Sequence, residues 1–298
     1  MLLVAVIALV HVFVPLSLLL PAYQVEVRGE GELRVHFLDV GQGDCTLVEF
    51  PSGEVVVLDA SDGSFGHRNH LVRYVKALSP AKLTLLLTHA DADHYGGFRA
   101  LIGAFGADEV YLPALGEDTP EYAALLKAVE NSGAAVDTIL RYDVLTDGSG
   151  AYLACISPKS GEEGDGNDTS AVMYLSYEGV GVLLAGDISS SVERRLVREY
   201  ALMEGIFDCG EFEVRLEETD IVKVSHHGSG YSNSEEWLSL LSPTCAVLSC
   251  GKGNAFSHPS VEALDRIASA GAEIYRTDEL GDIIVTINEG KYSLSFRT

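Results

Sequence analysis

A six-residue run, HADADH at positions 89–94, constrains this chain more than any other feature. It follows an apolar segment, KLTLLL at 82–87, that reads as a short, buried-type strand. Two histidines and two aspartates are metal-type ligands, and a packed strand holds the base of such a loop rigid. In extended backbone alternate side chains face the same way, so His89, Asp91 and Asp93 converge, and His94 starts a helix beside them. A solvated helix start, with Asp93 as cap and Asp91 as dipole partner, accounts for one aspartate only. Gly96 and Gly97 allow close backbone packing behind the run. Four side chains do not close two metal positions, so partners must come from elsewhere in the chain.

Two places supply them. Residues 182–185 read as the second strand of a hairpin begun at 171–177, and Gly186-Asp187 ends it. Residues 221–225 read as a strand that ends in His226-His227-Gly228-Ser229. Taken alone, Asp187 reads as a helix cap and the histidine pair as core or surface residues. Their shared position at strand ends, like that of HADADH, weakens both readings.

The remaining elements set the fold class. Residues 35–40, 45–50 and 54–59 predict a β-meander with turns at 41–44 and 51–53. Helical patterns cover 69–78 and 95–105, and Thr119 with Pro120 opens a helix reaching 130. The second half continues with helices at 191–203, 233–241 and 259–270 and strands at 246–249 and 282–287. Residues 161–168 form a polar loop, and 209–220 an acidic insertion. Two halves, each a strand hairpin followed by strand–helix units, predict an α/β (α+β) fold of two packed sheets with helices outside. The turn at 41–44, the histidines 67 and 70, and Trp237 are read as structural, Trp237 as core.

The 298 residues suffice for a sizeable core. With 44 acidic against 20 basic residues, the formal charge is −24. Such a surface argues against patch-driven DNA binding. It leaves room for a metal site that takes a phosphodiester, because bound cations reverse the local field. The five cysteines form no CxxC pair and read as small buried residues. Residues 2–20 carry no charged side chain and as a helix rise about 28 Å, close to the hydrocarbon thickness of a bilayer. With no basic residue before Arg28, residues 1–22 are expected to be an uncleaved membrane anchor rather than an export signal. The chain is then membrane-anchored with an extracytoplasmic domain, or secreted. Residues 30–298 are expected to form one domain beyond that segment.

Together these motifs resemble the metallo-β-lactamase fold superfamily, and within it the hydrolase domain of the competence DNA-uptake protein ComEC. The resemblance rests on LDVGQGD at 38–44, HADADHYGG at 89–97, Gly186-Asp187, His226-His227-Gly228-Ser229 and His258-Pro259, in that order. It implies a four-layer αββα fold, preceded here by the apolar helix, with the site at the mouth between the sheets. It implies two divalent metal ions held by His89, Asp91, Asp93, His94 and a bridging Asp187, completed by His226, the nearer of the pair to its strand end. Asp93 and Asp187 carry the catalytic roles. Asp59 orients the cluster, while His227, Ser229 and His258 stand near it or near substrate. Where relatives place a further histidine, this chain has Asn167-Asp168: one of them substitutes, or that metal position is weaker. Aspartate at position 91 makes the site oxygen-rich, which favours manganese, magnesium or iron, with zinc also open. The implied chemistry is metal-assisted hydrolysis by a hydroxide held between two cations. The expected activity is that of a phosphodiesterase or nuclease with DNA or another phosphodiester as partner. Hydrolysis of a small ester, lactone or amide, β-lactams included, is the rival enzyme reading. A metal-binding accessory module without turnover is the reading of a different class.

Overall fold

The computed structural model describes residues 25–298 apart from 163 and 165. The predicted meander is present as β1 (Leu33–Phe37), β2 (Thr46–Glu49) and β3 (Glu54–Leu58), all antiparallel neighbours. Parallel strands β4 (Lys82–Leu86), β5 (Glu109–Leu112) and β6 (Ala135–Thr138) extend the sheet from β3. The second sheet grows from β7 (Val144–Thr146), β8 (Tyr152–Ser157), β9 (Val172–Tyr177) and β10 (Val180–Leu184). A hairpin, β11 (Phe207–Cys209) and β12 (Phe212–Val214), stands apart. Parallel strands β13 (Thr219–Lys223), β14 (Cys245–Leu248) and β15 (Glu273–Arg276) complete the second sheet beyond β10. The chain then returns to the first sheet as β16 (Asp282–Asn288), antiparallel to β1, and β17 (Lys291–Arg297).

Period-two alternation explains the layering. Val56 and Leu58 of β3 face the second sheet, where they join Leu33, Val35 and Phe37 against Met173, Leu175, Val182, Leu184 and Val247. Val55 and Val57 of the same strand point the other way. There they pack on α1 (Phe65–Leu78), α3 (Phe98–Phe105) and α4 (Pro120–Ser132) through Leu71, Val75, Phe98, Leu101, Leu125 and Val129. Beneath the second sheet, Leu183, Val222 and Ala246 meet α5 (Ser190–Leu202), α6 (Glu235–Leu241) and α7 (Val261–Ser269), with Trp237 fully buried. The result is helices, sheet, sheet, helices. A strand buried on both faces has little room for a polar side chain, so the working groups collect at strand ends.

Several expectations need correction. The helix predicted over 95–105 is two pieces, α2 (Ala92–Tyr95) and α3, split at Gly96-Gly97. The reason is packing: a Cβ on Gly97 would lie 2.2 Å from the Ala60 carbonyl oxygen, and one on Gly96 2.2 Å from the carbonyl carbon of Asp62. The glycines thus press HADADH onto the loop after β3. The acidic stretch 209–220, read as an insertion, holds the end of the β11–β12 hairpin and the start of β13. β6, β7, β8, β15 and β17 lie outside the strands read from sequence. The predicted anchor at 1–22 lies outside the described residues. Among those described, no helix is long and apolar enough to cross a membrane.

Candidate metal centre

The C-terminal ends of β3, β4, β10 and β13 meet at one edge of the two sheets. They deliver Asp59, residues 88–94, Asp187 and residues 225–229 respectively. Ligand sites at the carboxyl ends of parallel strands are a general consequence of this kind of topology.

A buried hydrogen-bond relay fixes the imidazoles. Asp59, 2% exposed, accepts from the Thr88 amide through Oδ1 at 2.8 Å. Its Oδ2 accepts from Thr88 Oγ1 at 2.7 Å and from His94 Nδ1 at 2.7 Å. Since the Thr88 hydroxyl proton is committed to Asp59, Thr88 Oγ1 accepts from His89 Nδ1 at 3.1 Å. His227 Nδ1 donates to the Ser249 carbonyl at 2.9 Å. These bonds assign the proton to Nδ1 in all three rings and turn each Nε2 lone pair inward. His89 Nε2, His94 Nε2 and His227 Nε2 are all buried without a hydrogen-bond partner. Three inward lone pairs left unpaired in a polar site are what a metal would satisfy.

The distances agree. Asp187 Oδ2 stands 3.5 Å from His94 Nε2 and 3.3 Å from His227 Nε2, and Asp93 Oδ2 lies 3.5 Å from His227 Nε2. Two ligands of one tetrahedral cation, each about 2.1 Å away, sit about 3.4 Å apart. Grouped by mutual reach, His89, His94 and Asp187 form one triad, and Asp93, His94 and His227 another. The donor set therefore fits divalent cations, with Asp187 between the groups.

The histidine pair behaves differently from expectation. His226, the residue favoured from sequence, is 3.9 Å from Asp187 Oδ2 with a side chain 30% exposed, and it belongs to none of the converging groups. His227 is 2% exposed and is the one that converges. The cause is backbone: both residues adopt left-handed conformations (φ 50° and 53°), which breaks the alternation of the preceding strand. Such a pair costs roughly 1–2 kcal/mol per residue and persists because neighbours over-determine it. Asn233 brackets Ser225 with two hydrogen bonds of 3.1 Å, and the buried Glu193 carboxylate accepts from the amides of Asn233 and Ser234 at 2.6 and 2.7 Å.

Other predicted residues take lesser places. Asp91 has a side chain 39% exposed and reaches His89 Nε2 only at 3.7 Å. Asp168 accepts from Ser189 Oγ at 2.6 Å and joins none of the converging groups. Ser229 Oγ accepts from the Tyr231 amide. The His258 ring lies 5.6 Å from that of His226 and 6.4 Å from that of His227.

Two residues were missed. Asp44, at the end of the 41–44 turn, is 2% exposed and lies 3.6 Å from His227 Nδ1 and 4.0 Å from His94 Nδ1. Lys223, 3% exposed, forms an ion pair with Asp44 and approaches Asp187 Oδ1 at 4.0 Å. The signal for Lys223 was legible: a lone cation in the apolar strand before HHGS, in phase with Ile221, which faces the inter-sheet core. Asp44 closes the LDVGQGD run, but an aspartate in a hairpin turn has an ordinary structural reading.

The electrostatics follow from four buried or half-buried carboxylates around three imidazoles. Burial opposes ionisation of Asp93, but the neighbouring His227 and His94 imidazoles bring its pKa down to about 2. Burial likewise opposes the charged form of His94, yet Asp187 and Asp59 outweigh it and raise its pKa well above the usual histidine range. Burial opposes the Lys223 ammonium too, and Asp44 and Asp187 hold it charged. Excess negative charge thus draws protons onto His94 and His227. A divalent cation competes for the same lone pairs and releases those protons on binding.

Residues 38–252 match the family described as Metallo-beta-lactamase superfamily. The chain belongs to that superfamily. As a metallo-beta-lactamase superfamily protein it is a metallo-hydrolase by family, and its curated relatives are competence proteins of the expected ComEC type. It is 27% identical over 273 residues to ComE operon protein 3 of Bacillus subtilis (strain 168), covering 86% of this chain and 33% of that protein. It is 26% identical to competence protein ComA of Neisseria gonorrhoeae, over 90% of this chain and 34% of that one. The chain thus spans about a third of the length of these relatives. Among solved structures, CmlA, a diiron beta-hydroxylase from Streptomyces venezuelae, shares the fold with a TM-score of 0.50 at 16% identity, over 84% of this chain and 53% of that one.

Proposed function

We propose that this superfamily member is a metal-dependent phosphodiesterase that cleaves DNA, with two divalent cations at the site. The observation that carries the reading is the convergence of the unpaired His94 and His227 Nε2 atoms on Asp187 at ligand spacing, with His89 grouped beside them, in a chain similar to competence proteins. His89, His94 and Asp187 would hold one cation. Asp93 and His227 would hold the other, sharing only the Asp187 carboxylate with the first. When bound, such cations lower the pKa of a water and polarise a phosphoryl oxygen.

The chain's own residues set the frame for that chemistry. Asp59 and Thr88 hold His89 and His94 to one tautomer and one orientation. Lys223 keeps Asp44 paired at the floor of the site, so that Asp44 does not stand there as an uncompensated charge. His258, whose Nδ1 is buried without a partner, faces the substrate side, where it would contact the departing oxygen. Residues 2–20, an apolar run without charge, support attachment of this domain to a membrane. Fractionation of cells expressing the full chain tests that point.

The charge of −24 favours one rival, hydrolysis of a small ester, lactone or amide. Elemental analysis of the purified protein, followed by assays on single-stranded DNA and on a chromogenic ester with Mn²⁺ or Zn²⁺, separates the two. DNA cleavage that depends on added metal supports the nuclease reading. Ester turnover with DNA left intact refutes it.

A further inference from the structure

The loop between β14 and α7 carries an aromatic ring that the proposed chemistry does not use. Phe256 is 66% exposed. Singly exposed apolar side chains are ordinary on protein surfaces. Two features set this one apart. Its ring stacks on His258 with centroids 5.8 Å apart and planes at 28°, and His258 in turn stacks on His227 at 6.4 Å and 29°. The three rings form a near-parallel column from the buried candidate ligand to solvent, within the spacing of aromatic stacking.

The loop that presents the column is also locked. Asn254 Oδ1 accepts from the amides of Phe256 and His258 at 3.1 and 3.0 Å. Asn254 Nδ2 donates to the carbonyls of Gly251 and His258 at 2.9 and 2.5 Å. Gly251 donates its amide to Gln42 Oε1 at 3.2 Å, which ties the loop to the turn that carries Asp44. Phe256 is therefore held at the mouth of the site with its outer face open.

We infer that Phe256 is a specificity-determining residue: its free face stacks a planar ring of the substrate, a nucleobase flanking the cleaved linkage. This deepens the phosphodiesterase reading and rests on it. The charge balance points the same way. A chain of −24 offers little to a phosphate backbone beyond the cations of its site, so affinity for a nucleic acid has to come from its bases. Stacking supplies that affinity without sequence preference, and it requires bases that are unpaired.

The test uses the full chain loaded with Mn²⁺ and two single-stranded oligonucleotides of equal length. One carries bases throughout, and the other is abasic with the same phosphodiester backbone. Wild type is compared with Phe256→Leu and Phe256→Trp, each shown by elemental analysis to hold as much metal as wild type. Phe256→Leu is expected to raise KM for the base-carrying substrate roughly 5- to 150-fold. It should leave kcat within about a factor of two and KM for the abasic substrate unchanged, and Phe256→Trp should restore the wild-type KM. Equal KM for wild type and Phe256→Leu on the base-carrying substrate overturns the inference and leaves the phosphodiesterase reading standing. A parallel loss on both substrates also overturns it, since that marks damage to the site. Failure of wild type to cleave either substrate overturns the phosphodiesterase reading and the inference with it.

Discussion

Replacing Asp59 by asparagine separates the orienting relay from the ligands themselves. Asparagine has the same outline and tolerates the left-handed backbone at this position (φ 58°), where alanine would be strained. What changes is hydrogen-bond polarity. Asp59 accepts three bonds of 2.7–2.8 Å, one at Oδ1 and two at Oδ2. If the oxygen of the substituted side chain keeps the Thr88 amide, its NH2 faces His94 Nδ1 and Thr88 Oγ1. His94 must then present an unprotonated Nδ1 and carry its proton on Nε2, the atom 3.5 Å from Asp187. That nitrogen can no longer bind a cation. In the opposite amide orientation two donors face each other at Thr88, and a buried N–H left unpaired costs about 1–3 kcal/mol. Loss of such an orienting partner lowers metal affinity about 10- to 100-fold, or about 1.4–2.7 kcal/mol. Competition with a chromophoric chelator measures the affinity, and a melting curve of the metal-free protein measures the fold. Asp59→Asn that binds Mn²⁺ within a factor of two of wild type, with an unchanged melting curve, refutes the relay.

Asp187→Ala removes the carboxylate that faces the Nε2 atoms of His94 and His227, and the purified variant should lose most of its metal by elemental analysis; full retention would count against the centre as drawn. His227→Ala should weaken metal binding at least about tenfold, while His226→Ala should stay within a few-fold, and calorimetric titration with the reverse ranking would restore His226 as ligand. Glu193→Ala leaves two buried amides unpaired beside the HHGS loop and should cost about 2–4 kcal/mol in urea denaturation. Burial raises the pKa of Glu193 despite those amides, so the folded state holds this proton more tightly than the unfolded one. The stabilisation is present below the ordinary glutamate value, about 4.3, and is lost as pH rises through the folded value. Glu193→Gln should flatten stability across that window, and an unchanged slope in denaturation curves would contradict the assignment.

Much of the fold was legible because burial leaves a period in the sequence. The alternation in Val55, Val56, Val57 and Leu58 records a strand with a core on each face, and the capped run after Thr119 records a helix with one buried stripe. Short edge strands such as β7 (Val144–Thr146) were missed because half-buried residues leave no such period. The chemistry-bearing runs at 89–94, 186–187 and 226–229 were legible because polar ligand-type residues straight after apolar strands are costly unless something uses them.

The amino-acid order by itself determined which strand ends carry ligand-type residues and hence the family, since both depend on local pattern along the chain. Tertiary structure decided which atoms meet. Two left-handed residues turn His227 inward where strand alternation favoured His226. Asp44 and Lys223 pair although they lie far apart along the chain, because packing the two sheets brings their strand ends together. Side-chain direction at a bend, and contact between distant strand ends, are properties of backbone geometry in three dimensions. No one-dimensional period encodes them.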